Sequence, residues 1–353
     1  MSAFFIYVVL LTGLFVVATI ISKKKDSIVR SPLIWIVITL TATVVGMQSN
    51  PNVDWNGYYE IVSSPVTGNY ALEEMELAPR YLSILLHNLG LSPSLWFVIM
   101  MWLIYLFLVL AANNGLKEIF PWIFFFFFLS LFSLSMIIIR QTVALSIILY
   151  AYSFIHQKKL FRYLLLMALA YCFHRSSLIC LPLYWVAPLI SFKSISLQIG
   201  IVSISILIGG YIVDFLWSLV PLGEEFRYAH YSELDFEYGE KSGVGVVINH
   251  LRYFTIILYS EKLKEKFNKN GFSVFYGVFF IEACIYNAFK NDLALSRIEL
   301  YFSVADLVTS GFLFYYLFHS RNLFDKIVLG VLFSLVLVMF LYIAWTQPDW
   351  KFV

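Results

Sequence analysis

The sequence predicts an all-α polytopic membrane protein of about twelve transmembrane helices. Three observations lead there. Of the 353 residues, 61% are hydrophobic and only 13% are charged, against roughly 25% charged and 45–50% apolar in an ordinary soluble domain. No soluble fold of this length covers so much apolar surface. Apolar runs long enough to cross roughly 30 Å of hydrocarbon recur from one end of the chain to the other, and the charges gather between them and sort by type.

The first apolar run, 3–21, ends on Lys23, Lys24 and Lys25. It has no basic region before it and no small-residue cleavage site after it, so it is expected to be a retained helix rather than a removed signal. The run 33–48 follows Arg30 and leads into a long polar loop, about 49–92. Runs 93–112 and 119–135 flank Lys117, runs 138–155 and 160–174 flank Lys158 and Lys159, and runs 177–192 and 195–219 flank Lys193. After a second long loop, about 220–245, the run 246–260 enters Lys262, Lys264, Lys266 and Lys269. Runs 272–289 and 298–318 flank Lys290 and Arg297, and the last, 327–345, follows Arg321 and Lys326. The whole chain, 1–353, is expected to form one integral membrane domain. Within the first long loop, Pro79 to Leu89 carries Tyr81, Leu82, Ile84, Leu85 and Leu86. It is too short to span, so a short interfacial or re-entrant helix is expected there.

Orientation follows from the positive-inside rule. Most lysines fall in one set of short loops, which is therefore cytoplasmic and leaves both termini outside. The opposite set holds Arg80, Arg140, Arg175, Arg227, Lys241, Arg252, Lys290, Arg297 and Lys351, fewer in number and mostly arginine. The rule accounts for the lysines but gives arginine no reason to gather outside. A planar guanidinium binds phosphate in bidentate fashion, so these residues point to an anionic ligand outside the cytoplasm; the alternative is that each pairs with an outer carboxylate. The long outer loops are rich in Tyr, Trp, Asp, Glu and Arg. Such composition suits either sugar binding, with rings on pyranose faces and carboxylates on hydroxyls, or an interfacial aromatic belt.

The inner loops contain no phosphate-cradling glycine loop and no carboxylate pair to hold a nucleotide sugar and its metal. HExxH, CxxC and GxSxG patterns are absent as well. No metal and no cofactor is expected, and the activated substrate should carry its own leaving group on the outer side. The net charge of +2 gives no reason to expect nucleic acid. Cys172, Cys180 and Cys284 lie in or beside apolar runs, and three cysteines make no paired framework.

The stretch 136–185 resembles the EpsG-type polymerases of bacterial O-antigen and exopolysaccharide. It has Arg140 and Gln141 opening a helix, then the basic turn at Lys158 and Lys159, then Phe173, His174 and Ser176 before a helix with Pro182. Upstream, Asp54, Tyr58 and Tyr59 precede an acidic cluster of Glu73, Glu74 and Glu76, and the choice among these glutamates for the family's acidic position is open. Downstream, Arg297 and Tyr301 form the Arg-x-x-x-Tyr of a late helix. The resemblance implies a Wzy-type polymerase with a GT-C-like fold in the bacterial inner membrane, its active site facing the periplasm. Such an enzyme transfers a glycan from undecaprenyl pyrophosphate to a hydroxyl of another lipid-linked repeat unit. Its donor and acceptor are both lipid-linked glycans, its surroundings are membrane lipids, and a chain-length regulator is a candidate partner.

The chemistry points to particular residues. Breaking a sugar–pyrophosphate bond builds negative charge on the leaving group, which preorganised cations stabilise; Arg140, Arg175, Arg297 and Arg80 are the candidates. The acceptor hydroxyl must lose a proton. His174 is the best-placed histidine, since His156 and His319 lie in inner positions and His87, His230 and His250 lack a motif. Asp54, Glu74 and Glu76 are rival bases. The alternatives are a His174 that hydrogen-bonds across helices and loop carboxylates that are merely solvated. Gln141, Tyr58, Tyr59 and Tyr301 are the expected substrate contacts. Glu282 and Asp306 fall inside predicted helices, where ionisable groups are costly and functional by default. They either bond to polar neighbours such as Asn287 or Ser303, or mark a path in a lipid-glycan flippase or transporter. An O-antigen ligase and a membrane-bound acyltransferase are further alternatives.

Overall fold

A computed structural model describes residues 2–49, 53–65, 70–190, 194–219, 243–347 and 351–352. The second expected outer loop, with Arg227, His230 and Lys241, falls on 220–242 and lies outside the described residues. Helix dominates, as it must where no water is present to satisfy backbone groups. The helices are α1 (Ala3–Ser22), α2 (Pro32–Gly46), α3 (Val53–Ser63), α4 (Tyr70–Glu73), α5 (Leu77–Asn88), α6 (Ser94–Asn113), α7 (Phe120–Ser130), α8 (Phe132–Ile137), α9 (Ile139–His156) and α10 (Leu160–Phe173). They continue with α11 (Leu183–Val186), α12 (Ile195–Leu219), α13 (Val244–Phe267), α14 (Phe272–Phe289), α15 (Leu293–His319) and α16 (Leu323–Thr346). A two-stranded antiparallel pair, β1 (Gln48–Ser49) with β2 (Lys351–Phe352), joins the segment after α2 to the segment after α16. Among the described residues, six helical segments are long and apolar enough to cross a membrane: Ala3–Ser22, Ser94–Asn113, Ile195–Val213, Phe272–Phe289, Ala294–His319 and Leu323–Thr346.

The turns sort to two ends of the bundle. At one end, Asn113 Oδ1 accepts from Ser27 Oγ (2.7 Å) and from the Ile28 amide (2.8 Å). There too Gln157 donates to Asn114 (2.9 Å), Asn270 donates to the Gly115 carbonyl (2.7 Å), and Lys117 donates to the carbonyls of Lys24 and Asp26. This is the end where the lysines lie. The arginine-rich residues Arg140, Arg175 and Arg297 lie at the other ends of their helices.

The core is built around α9 and α7. From Gln141 to Ile155, α9 is buried at every position but Tyr150, and it packs on α6, α10 and α15. The α7 stretch Phe124–Phe128 is buried throughout, its rings meeting neighbours edge-on, as with Phe126 against Phe314 at 5.0 Å, or stacked, as with Phe125 against Phe333 at 5.8 Å. Such geometry suits the aromatic quadrupole. Close backbone approach fixes two further contacts: a Cβ on Gly46 would fall 2.5 Å from the Val98 backbone, and one on Gly277 would fall 2.5 Å from the Ala187 carbonyl. Only glycine permits α2 to meet α6, and α14 to meet the segment after α11, at this distance.

Among the described residues, each of the twelve expected segments falls on helical structure, six of them on helices long and apolar enough to cross a membrane, and there are three differences in form. The run 119–135 is not continuous, because the chain breaks at Leu131 before α8, which leans on α3. The run 177–192 is a 3₁₀ turn (Arg175–Cys180), the short α11 and a second 3₁₀ turn (Ala187–Leu189). Pro182 and Pro188 lack the amide hydrogen that a continuous α-helix needs there. The expected loop 49–92 contains α3, α4 and α5, and α5 matches the predicted short helix. It buries Pro79, Ser83 and Leu86 while exposing Leu77, Tyr81 and Leu85, the amphipathic form of a helix lying at an interface.

The placement of Arg252 among the outer charges is wrong. Arg252 lies inside α13 with 4% exposure, ion-paired to Asp306 at 2.5 Å and donating to Ser310 at 2.7 Å. Its guanidinium also stands over the rings of Phe126 and Tyr253. Glu282 accepts from the Tyr253 hydroxyl. The expected partners serve elsewhere: Asn287 bonds His250 and Ser205, and the Ser303 hydroxyl bonds the Leu300 carbonyl. Removing one member of a buried pair strands the other's charge. Arg252→Ala or Asp306→Ala should therefore destabilise the protein by about 3–5 kcal/mol, while Arg252→Met with Asp306→Leu should recover most of the loss. Thermal unfolding of the detergent-solubilised variants measures this, and equal melting of single and double variants would refute it.

Candidate functional site

The site is built on the first turn of α9. Arg140 is the second residue of this helix, at the end where the backbone amides already carry partial positive charge. A guanidinium there needs an anion nearby. Glu76, at the N-terminus of α5, supplies one by pairing with the Arg140 Nη1, and their side chains are only 22% and 10% exposed. Arg140 Nε donates to the Tyr58 hydroxyl at 3.1 Å, with its guanidinium carbon 5.3 Å from the Tyr58 ring centre. The ring of Trp96 stacks on Tyr58 from the other side (5.7 Å, 26°), and the Trp96 indole donates to the Pro79 carbonyl at 3.0 Å. Helices α3, α5 and α6 thus converge on the N-terminus of α9.

The second half of the site hangs on α15. Gln141 Nε2 donates to the Arg297 carbonyl at 2.6 Å. One turn further along α15, about 6 Å on, the Tyr301 hydroxyl lies 2.6 Å from His174 Nδ1. The Tyr301 carbonyl accepts from Tyr152 at 2.8 Å, three turns along α9 from Gln141. His174 itself is the extended residue (φ −158°) that ends α10 and starts the 3₁₀ turn. Its neighbour Arg175 is exposed.

Of the residues singled out in the sequence, Tyr58, Glu76 and Arg140 therefore form one cluster, and Gln141, His174, Arg297 and Tyr301 a second joined to it through α9. Among the three glutamates, Glu76 is the one that meets Arg140; Glu74 lies half-buried in the turn between α4 and α5. Arg80 is one turn beyond Glu76 on α5, a helix that also packs on α10. The Arg80 Nε is buried with no hydrogen-bond partner among the described residues. Tyr59 points away from Arg140 and stacks on Trp55 (4.7 Å, 18°). The side chain of Asp54 lies outside the described residues. Trp96, Tyr152 and the buried Glu299, between Arg297 and Tyr301, went unread in the sequence. For Tyr152 a signal existed, since it shares the helical face of Gln141.

The sequence profile of the EpsG family matches residues 32–351. The chain belongs to the EpsG family. The match takes in every residue of the two clusters and leaves α1 before its start. Membership of the EpsG family gives the protein, in general terms, a polysaccharide-polymerase, glycosyltransferase-like function in polysaccharide biosynthesis. No curated protein and no solved structure matches the sequence.

Tyr58 has two separable duties in this EpsG-family site, a hydrogen bond to Arg140 and a stack with Trp96. Tyr58→Phe removes only the bond, worth about 1.5–3 kcal/mol for a charged donor, and should reduce polymer formation about tenfold or more with normal protein levels. Tyr58→Ala removes both and should abolish it. Equal, near-normal polymer from both variants, read on gels of surface polysaccharide, would show that the cluster is not functional.

Proposed function

We propose that this EpsG-family protein is an undecaprenyl-pyrophosphate-dependent polymerase of oligosaccharide repeat units, with twelve membrane crossings in a GT-C-like arrangement and the arginine-rich end facing the periplasm. The observation that carries the reading is the half-buried guanidinium of Arg140, held by Glu76 and Tyr58 at a helix N-terminus. Both the cation and the helix end favour an anion, and Glu76 at Nη1 and Tyr58 at Nε each fix one direction of the guanidinium while leaving others for a phosphate. Arg80, Arg297 and Arg175 stand at the same end of the bundle.

In the proposed reaction the acceptor hydroxyl attacks the anomeric carbon of the donor glycan. A new glycosidic C–O bond forms as the bond to pyrophosphate breaks, and undecaprenyl pyrophosphate leaves with the electron pair. The arginines stabilise the charge that grows on it. The acceptor proton passes to His174, in the tautomer whose Nδ1–H donates to the Tyr301 hydroxyl and leaves Nε2 as the accepting atom. Glu76, paired with Arg140, acts as a positioning residue. Tyr58 and Gln141 hold the arginine-bearing turn of α9, and Tyr59, stacked on Trp55 on one side, is the ring left to meet a sugar. A flippase reading draws less support, since Asp306 is paired internally with Arg252 rather than lining a path.

Deletion of the gene with complementation tests the activity. Wild type should restore long polysaccharide ladders, and Arg140→Ala, though inserted and abundant, should leave a single repeat unit. Normal ladders from Arg140→Ala would remove the mechanism, and loss of all surface repeats on deletion would favour a flippase. Orientation is tested separately: a periplasm-dependent phosphatase fused after Tyr70 should be active and one fused after Lys266 inactive, and the reverse pattern would invert the assignment.

A further inference from the structure

At the lysine end, α1, α7, α15 and α16 enclose a cavity of about 740 Å³ that the reaction above does not use. Its walls are Phe15, Trp122, Leu329 and Phe333. Of the three hydroxyl-bearing residues that line it, Thr19, Ser22 and Tyr315, the first two bond back to the carbonyls of Phe15 (2.7 Å) and Thr19 (2.9 Å) on their own helix, so the wall offers little to a sugar or a nucleotide. Its mouth is cationic. Lys23 and Lys326 stand there beside His319 against one lining carboxylate, Glu118, and the buried Asp325, outside the lining, also lies within electrostatic reach of Lys326. Lys326 donates to the Phe318 carbonyl and lies over the Phe318 ring at 5.5 Å, which pins its ammonium at the rim with further protons to give.

We propose that this cavity binds an anionic phospholipid of the surrounding bilayer, its acyl chains along the aromatic wall and its phosphate between Lys23 and Lys326. A neutral apolar molecule would leave the lysines unused, and a soluble anion would leave the rings unused. An amphiphile with a negative head uses both, and cations at a membrane surface favour such lipids. The site is distinct from the one proposed for catalysis: along α15, Tyr301 and the cavity residue Tyr315 are about 21 Å apart at 1.5 Å per residue. It also takes one wall from α1, which precedes the family match. The inference rests on the long apolar helices and not on the polymerase reaction.

The test is to transfer the purified full-length protein into nanodiscs containing phosphatidylcholine and phosphatidylglycerol, then count retained lipids by native mass spectrometry. The wild type should keep phosphatidylglycerol over phosphatidylcholine by about tenfold. Gly330 lines the cavity, and a Cβ there meets nothing within 4 Å. Gly330→Phe should therefore fill the space and end retention while the protein still runs as one symmetric peak. Lys23→Gln with Lys326→Gln should keep lipid but lose the preference for charge. Equal retention of both lipids by the wild type, which needs no variant, would overturn the proposal. So would undiminished phosphatidylglycerol in folded Gly330→Phe, which would place the lipid elsewhere on the lysine-rich surface.

Discussion

In a bundle whose helices are apolar nearly all round, hydrophobicity does not say which helix packs on which. That choice falls to the few polar side chains, and here to those of α9. Gln141 and Tyr152 each donate to a backbone carbonyl of α15, at Arg297 and Tyr301. A carbonyl already engaged in a helix keeps a second lone pair, so these bonds cost α15 none of its own structure. They set the axial position of α15 against α9, and the site inherits its geometry from that setting. If α15 slid by one residue, Tyr301 would rotate by about 100° and leave His174.

The charges follow a related logic at the two depths where they occur. Arg140 is unfavourable where it stands, at the positive end of a buried helix, and the carboxylate of Glu76 offsets this. The pair is partly open, so a stronger or more numerous anion can compete for the same guanidinium. Arg252 and Asp306 make the opposite arrangement: sealed from solvent and flanked by the rings of Phe126 and Tyr253, with the Nη atoms held by Asp306, Ser310 and Asn249 and only Nε without a partner among the described residues. One arginine is partly open to solvent and the other is closed off. The difference lies in exposure and surroundings, not in residue type.

That distinction explains what was legible in the sequence. Helix positions were, because a bilayer imposes one length on every apolar run. The residues of the candidate clusters could also be picked out as a set, since Arg140, Gln141, His174, Arg297 and Tyr301 sit at the ends of such runs. What could not be read were pairings between distant segments. Nothing in the order of residues distinguishes Glu74 from Glu76 as the partner of Arg140, because that depends on where α5 begins. Nor does it mark Arg252 as buried, since its partner Asp306 lies two helices further on. The breaks at Leu131 and in 177–192 escaped for another reason: apolar composition is blind to backbone hydrogen bonding, and only Pro182 and Pro188 hinted at it.

The antiparallel pairing of Gln48–Ser49 with Lys351–Phe352 bears on how the molecule comes into being. The carboxylate and tyrosine of the first cluster are made early in synthesis, whereas Arg297 and Tyr301 follow late and the strand partner later still. A nascent chain that stops short of α15 holds Arg140 and His174 without the helix that sets them. The second cluster and the strand pair are thus complete only once the C-terminal part of the chain has been made.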